Sequence, residues 1–281
     1  MKKRLFLFAG YDKSAVIDDA LIFYVRALGR FGDVVLFMDC DCDASQLAKI
    51  DKYCLYAGAK RHGEYDFGSY KRAYLWAQDN LKMAEYDFVY LVNDSVYGPL
   101  YDLGPYLENM ESGGCDAFGI VKNPHREHPH IQSWFVGMKK TVFESKWFDS
   151  FMKSVKKQKS KGEVTRKYEQ GLTQLIERHK LCWGCLYSVP GRGVYNNVKK
   201  LYREKMPFVK RVAFTRNHGA LGRQLRWVME NVDAGARGAI MTSVRRVYGD
   251  KYTDWLMGVG PFGVIIRNLR HVLYKLFIEG I

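Results

Sequence analysis

Several marks that would assign a class at once are missing from this chain of 281 residues. No Gly-x-Gly-x-x-Gly follows the first apolar run, and no Gly-x-x-x-x-Gly-Lys followed by Ser or Thr occurs anywhere. Those absences argue against a dinucleotide enzyme and a P-loop enzyme, whose phosphate cradles need such glycines. No run approaches the ~20 apolar residues of a membrane-spanning helix. The opening "MKKRLFLFAGYD" has the basic residues of a secretory leader, but only about five apolar residues precede Gly10, shorter than a signal core. Zinc-finger, helix-turn-helix and RRM signatures are missing, as are internal repeats and low-complexity tracts. Cys182-Trp-Gly-Cys185 has the spacing of a zinc or redox motif without a second such pair. It lies between a helix-like and a strand-like segment, so ordinary thiols are expected there and at Cys40, Cys42, Cys54 and Cys115. A reduced, cytoplasmic setting is the default expectation.

Charge is present but unevenly placed. Residues 1–150 hold 18 Lys and Arg against 21 Asp and Glu, while residues 151–281 hold 26 against 9. The whole positive excess therefore sits in the second half, which points to an anionic partner: nucleic acid, phosphate-bearing lipid or a membrane surface. Aromatic residues make up 15%, which suits pockets that need amphipathic contact area.

The pattern along the chain alternates. "RLFLFAGY" reads as a buried strand ended by glycine. The next apolar residues, Val16, Ile17, Ala20, Leu21, Tyr24, Val25 and Leu28, have helical spacing, and "DVVLFMD" is again a strand. Strand, helix, strand implies a parallel sheet. A helix is expected over 67–84 with Ser69 as its N-cap, a strand at "YDFVYLV", and a helix at "LGPYLENMES" with Pro105 in its first turn. "CDAFGIV", "SWFVGMKK" and "LCWGCLYSV" read as strands, with mostly helix over 141–180. Beyond Pro190, basic helical segments take over. The last places Ile265, Leu269, Val272, Leu273 and Leu276 on one face and Arg267, Arg270, His271 and Lys275 on the other.

In an open α/β sheet, ligands bind beyond the carboxyl ends of the strands. Three polar sets sit at such ends: Gly10-Tyr11-Asp12, Asp39 to Asp43, and Asn93-Asp94-Ser95. On spacing alone, Asp94 is as well read as a turn cap. Likewise Asp66, Gly68 and Ser69 make a helix start whatever their function, although a helix start at the open end of a sheet favours phosphate.

Four blocks occur in order: "GEYDFGSYKRAY", "LVNDSVYGPL", "HIQSWFVGMKK" and "YEQGLTQLI". Together, over about residues 5–190, they resemble the rhamnan synthesis protein F family of bacterial polysaccharide glycosyltransferases. The resemblance implies an α/β fold: a single GT-A-like Rossmann-type domain with a mostly parallel sheet over 1–190. The basic helical segments beyond Pro190 add a basic helical C-terminal region over 191–281. The resemblance also implies transfer of a sugar, L-rhamnose from dTDP-L-rhamnose, to a growing cell-surface polysaccharide or lipid-linked glycan, with inversion.

By the same resemblance Gly10, Tyr11, Asp66, Lys71, Asn93, Asp94 and Ser95 would bind the nucleotide-sugar donor. Asp94 would be the carboxylate facing Mg²⁺ or Mn²⁺. Two carboxylates are usual at such motifs and one is present here, so Lys71 or an arginine of the basic half would share the diphosphate charge. His130, Gln132 and Ser133 would line the acceptor or sugar pocket. Glu169, expected at the start of a late helix, would take the acceptor's proton; its plain reading is a first-turn acid favoured by the helix dipole. Apart from the resemblance, which does not reach them, Arg216, Asn217 and His218 of the tail are expected to close over the site. His125, His128 and His130 fit no strong metal template.

The basic tail is read either as a helix packed on its own domain or as a peripheral anchor at the inner face of the cell membrane. No nucleic acid is expected as a partner. The alternatives are a non-catalytic family member that binds carrier lipid or a protein partner, and a basic nucleic-acid-binding protein.

Overall fold

The strands of the chain, in a computed structural model, are β1 (Arg4–Gly10), β2 (Asp33–Met38), β3 (Tyr56–Ala59), β4 (Phe88–Asn93), β5 (Val96–Tyr97), β6 (Ala117–Asn123), β7 (His130–Ile131), β8 (Phe135–Lys139), β9 (Trp183–Ser188) and β10 (Val209–Lys210). The residues described are 2–216, 220–258, 260, 262–266, 268, 269 and 272. The chain folds into two compact units, one of residues 1–94 and 102–191, the other of residues 95–101 and 192–281.

The first unit is an α/β layer structure around an eight-stranded sheet of order β3-β2-β1-β4-β8-β6-β7, with β9 also paired to β6. β3, β2, β1 and β4 run parallel. β8 lies antiparallel between β4 and β6, and β9 is parallel to β6. The strands expected as apolar runs are buried along their length, as a sheet covered on both faces requires: every residue of β1 and β4 is buried. Asp18 caps the first helix, Asp19–Gly29, by accepting from Leu21 N–H. Gly104–Ser112 forms a helix with proline in its first turn.

Two local expectations are corrected. The second long helix starts earlier than expected, at Tyr65, and runs to Asn80. Ser69 therefore lies inside it, buried, with its hydroxyl 3.0 Å from the His62 ring; a serine that satisfies its hydroxyl on a tertiary partner gives the same sequence signal as a cap. The late helix also starts early. Ser160 caps Lys161–Val164 by accepting from Glu163 N–H, a π-helical turn Thr165–Gln170 follows, and Gly171–Arg178 completes the run. Glu169 thus sits in the π-turn in mid-run, where the helix-dipole reading no longer applies.

At the amino end of the sheet, Arg4 makes two bonds to Glu111, whose Oε1 also accepts from Tyr90. Burial of this charge pair is matched by full hydrogen bonding.

In the second unit β5 pairs antiparallel with β10. Tyr97 is buried there, with its ring against Phe214 and its hydroxyl 3.2 Å from Ser243. Helices Leu221–Asn231, Ala234–Tyr248 and Asp250–Met257 follow, the middle one capped by Asp233. The peptide Gly98-Pro99 is cis. Of the basic amphipathic segment, Ile265, Leu269 and Val272 are described and exposed, while Arg267, Arg270, His271, Leu273, Lys275 and Leu276 lie outside the described residues.

Candidate active site

The carboxyl ends of β1, β2 and β4 adjoin because the three strands are neighbours in one parallel set. β1 ends at Gly10, where a Cβ would strike the Met38 thioether. The next residue, Tyr11, is exposed, and its N–H donates to Asp94 Oδ2 at 3.2 Å. Asp94 N–H in turn donates to the Ala9 carbonyl at 3.2 Å, so the two strand ends are bonded in both directions. Asp12 closes the turn after β1 by accepting from the N–H groups of Ser14 and Val16. Asp39, at the end of β2, accepts from the N–H groups of His62 and Gly63 at 2.7 and 2.8 Å. That fixes the loop leading into helix Tyr65–Asn80.

This helix brings Asp66 to β4: Asn93 Nδ2 donates to Asp66 Oδ2 at 3.1 Å. Tyr70, one turn on and fully buried, donates its hydroxyl to the Ser133 carbonyl at 2.8 Å. Lys71 is not part of the group. Its Nζ donates to the Val155 carbonyl at 2.8 Å.

The antiparallel placement of β8 completes the edge. Val92 pairs with Phe135, and Asn93 N–H donates to the Trp134 carbonyl at 3.2 Å. The residues just before β8 therefore lie beside the end of β4. Ser133 gives both its N–H and its hydroxyl to Glu169 Oε2, at 2.8 and 2.5 Å. His130 Nε2 lies 3.4 Å from Glu169 Oε1, and its Nδ1 donates to the His128 carbonyl at 2.8 Å. With Nδ1–H committed to a carbonyl, Nε2 needs its own proton to face a carboxylate, which favours imidazolium. Burial pulls the His130 proton off, but Glu169 and the His128 carbonyl outweigh it and hold the histidine above its ordinary value. Burial likewise pushes the Glu169 carboxyl up, and the bonds from His130 and Ser133 overcome it and hold the carboxyl below its ordinary value. Gln132 accepts from the Trp134 indole at 2.8 Å.

Of the residues singled out in the sequence, Gly10, Tyr11, Asp66, Asn93, Asp94, His130, Ser133 and Glu169 are thus joined through one connected edge of the first unit. Ser95 belongs to the second unit, where its hydroxyl receives a bond from Lys210 at 2.9 Å. Arg216 is also in the second unit, over the Tyr195 ring, and Asn217 and His218 lie outside the described residues. Tyr70 was missed, although it stands inside the quoted block "GEYDFGSYKRAY". A tyrosine at helical spacing reads as core, and only its partners mark it otherwise.

Among the described residues, no three His, Cys, Asp or Glu side chains are placed to hold a metal. Asp94, with one oxygen engaged by Tyr11 N–H, fits a hard divalent ion only where substrate phosphate oxygens supply other ligands, a pattern usual for Mg²⁺.

Comparison with known proteins gives one family match, to rhamnan synthesis protein F, over residues 46–250. Among solved structures, the chain is similar to the glycosyltransferase GlyE of Streptococcus pneumoniae TIGR4 (13% identity, 87% of this chain, 64% of that one, TM-score 0.47). It is similar to residues 1–349 of S. aureus TarS (12% identity, 99% of this chain, 73% of that one, TM-score 0.45). A third similarity is to a glycosyltransferase involved in glycosylation of the major capsid of PBCV-1 (11% identity, 82% of this chain, all of that one, TM-score 0.40). No curated protein matches.

Proposed function

The chain belongs to the rhamnan synthesis protein F family, a family of glycosyltransferases, and we propose that it moves L-rhamnose from dTDP-L-rhamnose, with inversion, onto a growing cell-surface polysaccharide or lipid-linked glycan. The observation that carries the transfer reaction is the joining of Glu169, through Ser133 and Trp134, to the Asn93-Asp94 end of β4; the sugar and nucleotide rest on the family alone. A base and a donor-binding strand end must share one crevice for in-line displacement at an anomeric carbon.

In that reading Gly10, Tyr11, Asp66, Asn93 and Asp94 seat the nucleotide and its diphosphate, and His130, Gln132 and Ser133 line the side where the sugar and acceptor meet. The acceptor hydroxyl gives its proton to Glu169 as its oxygen bonds to the anomeric carbon. The bond from that carbon to the diphosphate breaks, and the nucleoside diphosphate leaves with the electron pair. Mg²⁺ or Mn²⁺, bound by Asp94 and the donor phosphates, would neutralise charge on the leaving group. Lys71 would have to leave the Val155 carbonyl to do the same. The basic half would hold the protein at the inner face of the membrane, next to a lipid-diphosphate acceptor.

Two measurements test this. A thermal-shift screen of nucleotide-sugars with and without Mg²⁺ or Mn²⁺ should single out dTDP-L-rhamnose. A donor at a hundred times its Kd stabilises the folded state by about 2.7 kcal/mol. Glu169→Gln should lower transfer by about 10²- to 10⁴-fold while leaving the donor's thermal shift in place. Full activity in a folded Glu169→Gln protein would remove the base.

A further inference from the structure

Two hydrogen bonds made by the helix Tyr65–Asn80 tie it to the donor side and to the base side of the first unit. One is at Asp66, which accepts from the Asn93 amide. The other is at Tyr70, one turn on, whose hydroxyl donates to the Ser133 carbonyl. Ser133 then holds Glu169 Oε2 with two donors, and Glu169 Oε1 faces His130. The groups involved are out of water: Tyr70 is 0% exposed, Asn93 1% and Ser133 8%. Buried polar groups are costly unless bonded, so these bonds select one arrangement of their members.

We propose that Tyr70 is a positioning residue of the transfer reaction, fixing the Ser133 segment against the helix that carries Asp66 so that Glu169 is held at a set place relative to a donor on Asn93 and Asp94. This rests on the reading of Glu169 as the base. Tyr70 touches neither substrate. It acts because its hydroxyl donates to the base-side carbonyl while Asp66, one turn earlier on the same helix, is bonded to the donor-side amide.

Trp134, next to Ser133, meets β4 through its own carbonyl, from Asn93 N–H, which fixes the backbone after Ser133 but not the Ser133 carbonyl itself. Thr173 supports β7 instead, by accepting from Ile131 N–H at 3.2 Å. Among the described residues, the groups that act on the Glu169–His130 pair are Ser133 and the His128 carbonyl, and the charges of Asp66 and Glu169 in turn act on Tyr70. Removing the Tyr70 hydroxyl leaves the Ser133 carbonyl unpaired and frees that segment to shift. The His130–Glu169 separation then grows, while the burial of His130 stays.

The test is Tyr70→Phe, which keeps the buried ring. Its first readout needs no substrate: the titration midpoint of the His130 imidazole by NMR, assigned by its loss in His130→Asn. The midpoint should fall in Tyr70→Phe by at least about half a pH unit, because the carboxylate that raises it has moved away. The second readout is transfer from dTDP-L-rhamnose. There kcat should fall about ten- to a hundredfold with KM for the donor changed less than about twofold, the signature of a misplaced catalytic group. A merely structural role would lower the melting temperature and leave the midpoint and the kcat-to-KM split alone. If Tyr70→Phe fails to fold, Tyr70→Met also removes the hydroxyl while filling the buried space with an adaptable apolar side chain, and must lower the midpoint in the same direction. An unchanged midpoint in the folded variant overturns the positioning role and leaves the base standing. Full activity in Glu169→Gln removes the base while the midpoint shift can still be read.

Discussion

At Glu169 two opposing effects meet. Burial favours the neutral acid, while His130 and the two Ser133 donors favour the carboxylate and win. The sign of the pH dependence follows. The carboxyl is lowered from its ordinary 4.5, so its contribution to stability is full above 4.5 and fades as pH falls through the lowered value. His130 is raised from 6.5, so its contribution is full below 6.5 and fades as pH rises through the raised value. The pair therefore contributes most between 4.5 and 6.5. Urea unfolding of wild type and Glu169→Gln across pH 4 to 9 should show the largest stability difference in that window, on the order of 1–3 kcal/mol. A difference that does not vary with pH would mean the two groups do not pair. The same residue illustrates what spacing could reveal: "YEQGLTQLI" marks an acid on a helix, but its partners at 130 and 133 are some forty residues away, and no local pattern names them.

The element that organises the site is β8. An antiparallel strand inserted between β4 and β6 brings the chain from the His130 loop directly beside the end of β4. That insertion depends on Gly137, whose missing side chain leaves room for the rings of Phe118 and Tyr90. Those rings belong to packed strands and are held by their own neighbours, so they cannot easily give way. Gly137→Ala should destabilise the fold by about 1–3 kcal/mol. Thermal unfolding is the measurement, and an unchanged melting temperature would show that the rings yield freely. From sequence, "SWFVGMKK" was legible as a strand. Its direction and neighbours were not, because an apolar run looks alike in a parallel and an antiparallel pairing. The π-turn carrying Glu169 was illegible for a similar reason: one extra residue in a helical turn leaves the spacing of Leu172 and Leu175 on the apolar face intact.

Over the whole molecule, charge is partitioned by unit. Residues 192–281 hold 17 Lys and Arg against 6 Asp and Glu. A surface of that sign attracts anionic lipid with a strength that falls as salt screens it. The protein should therefore co-sediment with vesicles containing phosphatidylglycerol at 50 mM salt, release by 500 mM, and lose most binding when residues 255–281 are removed. Equal binding with and without that segment would refute the anchor. Among the described residues no helix is long and apolar enough to cross a membrane. The short segment Ser95–Tyr101 joins the second unit although sequence on both sides of it belongs to the first. Nothing in "SVYGPLY" marks that; its two-residue strand β5 is specified by its pairing with β10 more than a hundred residues away.

The sequence by itself determined the alternation of strand and helix, the polar sets at the strand ends, the basic second half and the four blocks that resemble the family. Each of these is a local property, written as periodicity, composition or order along the chain. Tertiary structure alone decided that β8 turns back beside β4, that Ser69 and Tyr70 face inward to bonded partners, that Lys71 points to Val155, and that Glu169 sits charged between His130 and Ser133. Those outcomes depend on hydrogen bonds between residues far apart in sequence, whose free energy is set by burial and geometry that no single segment contains.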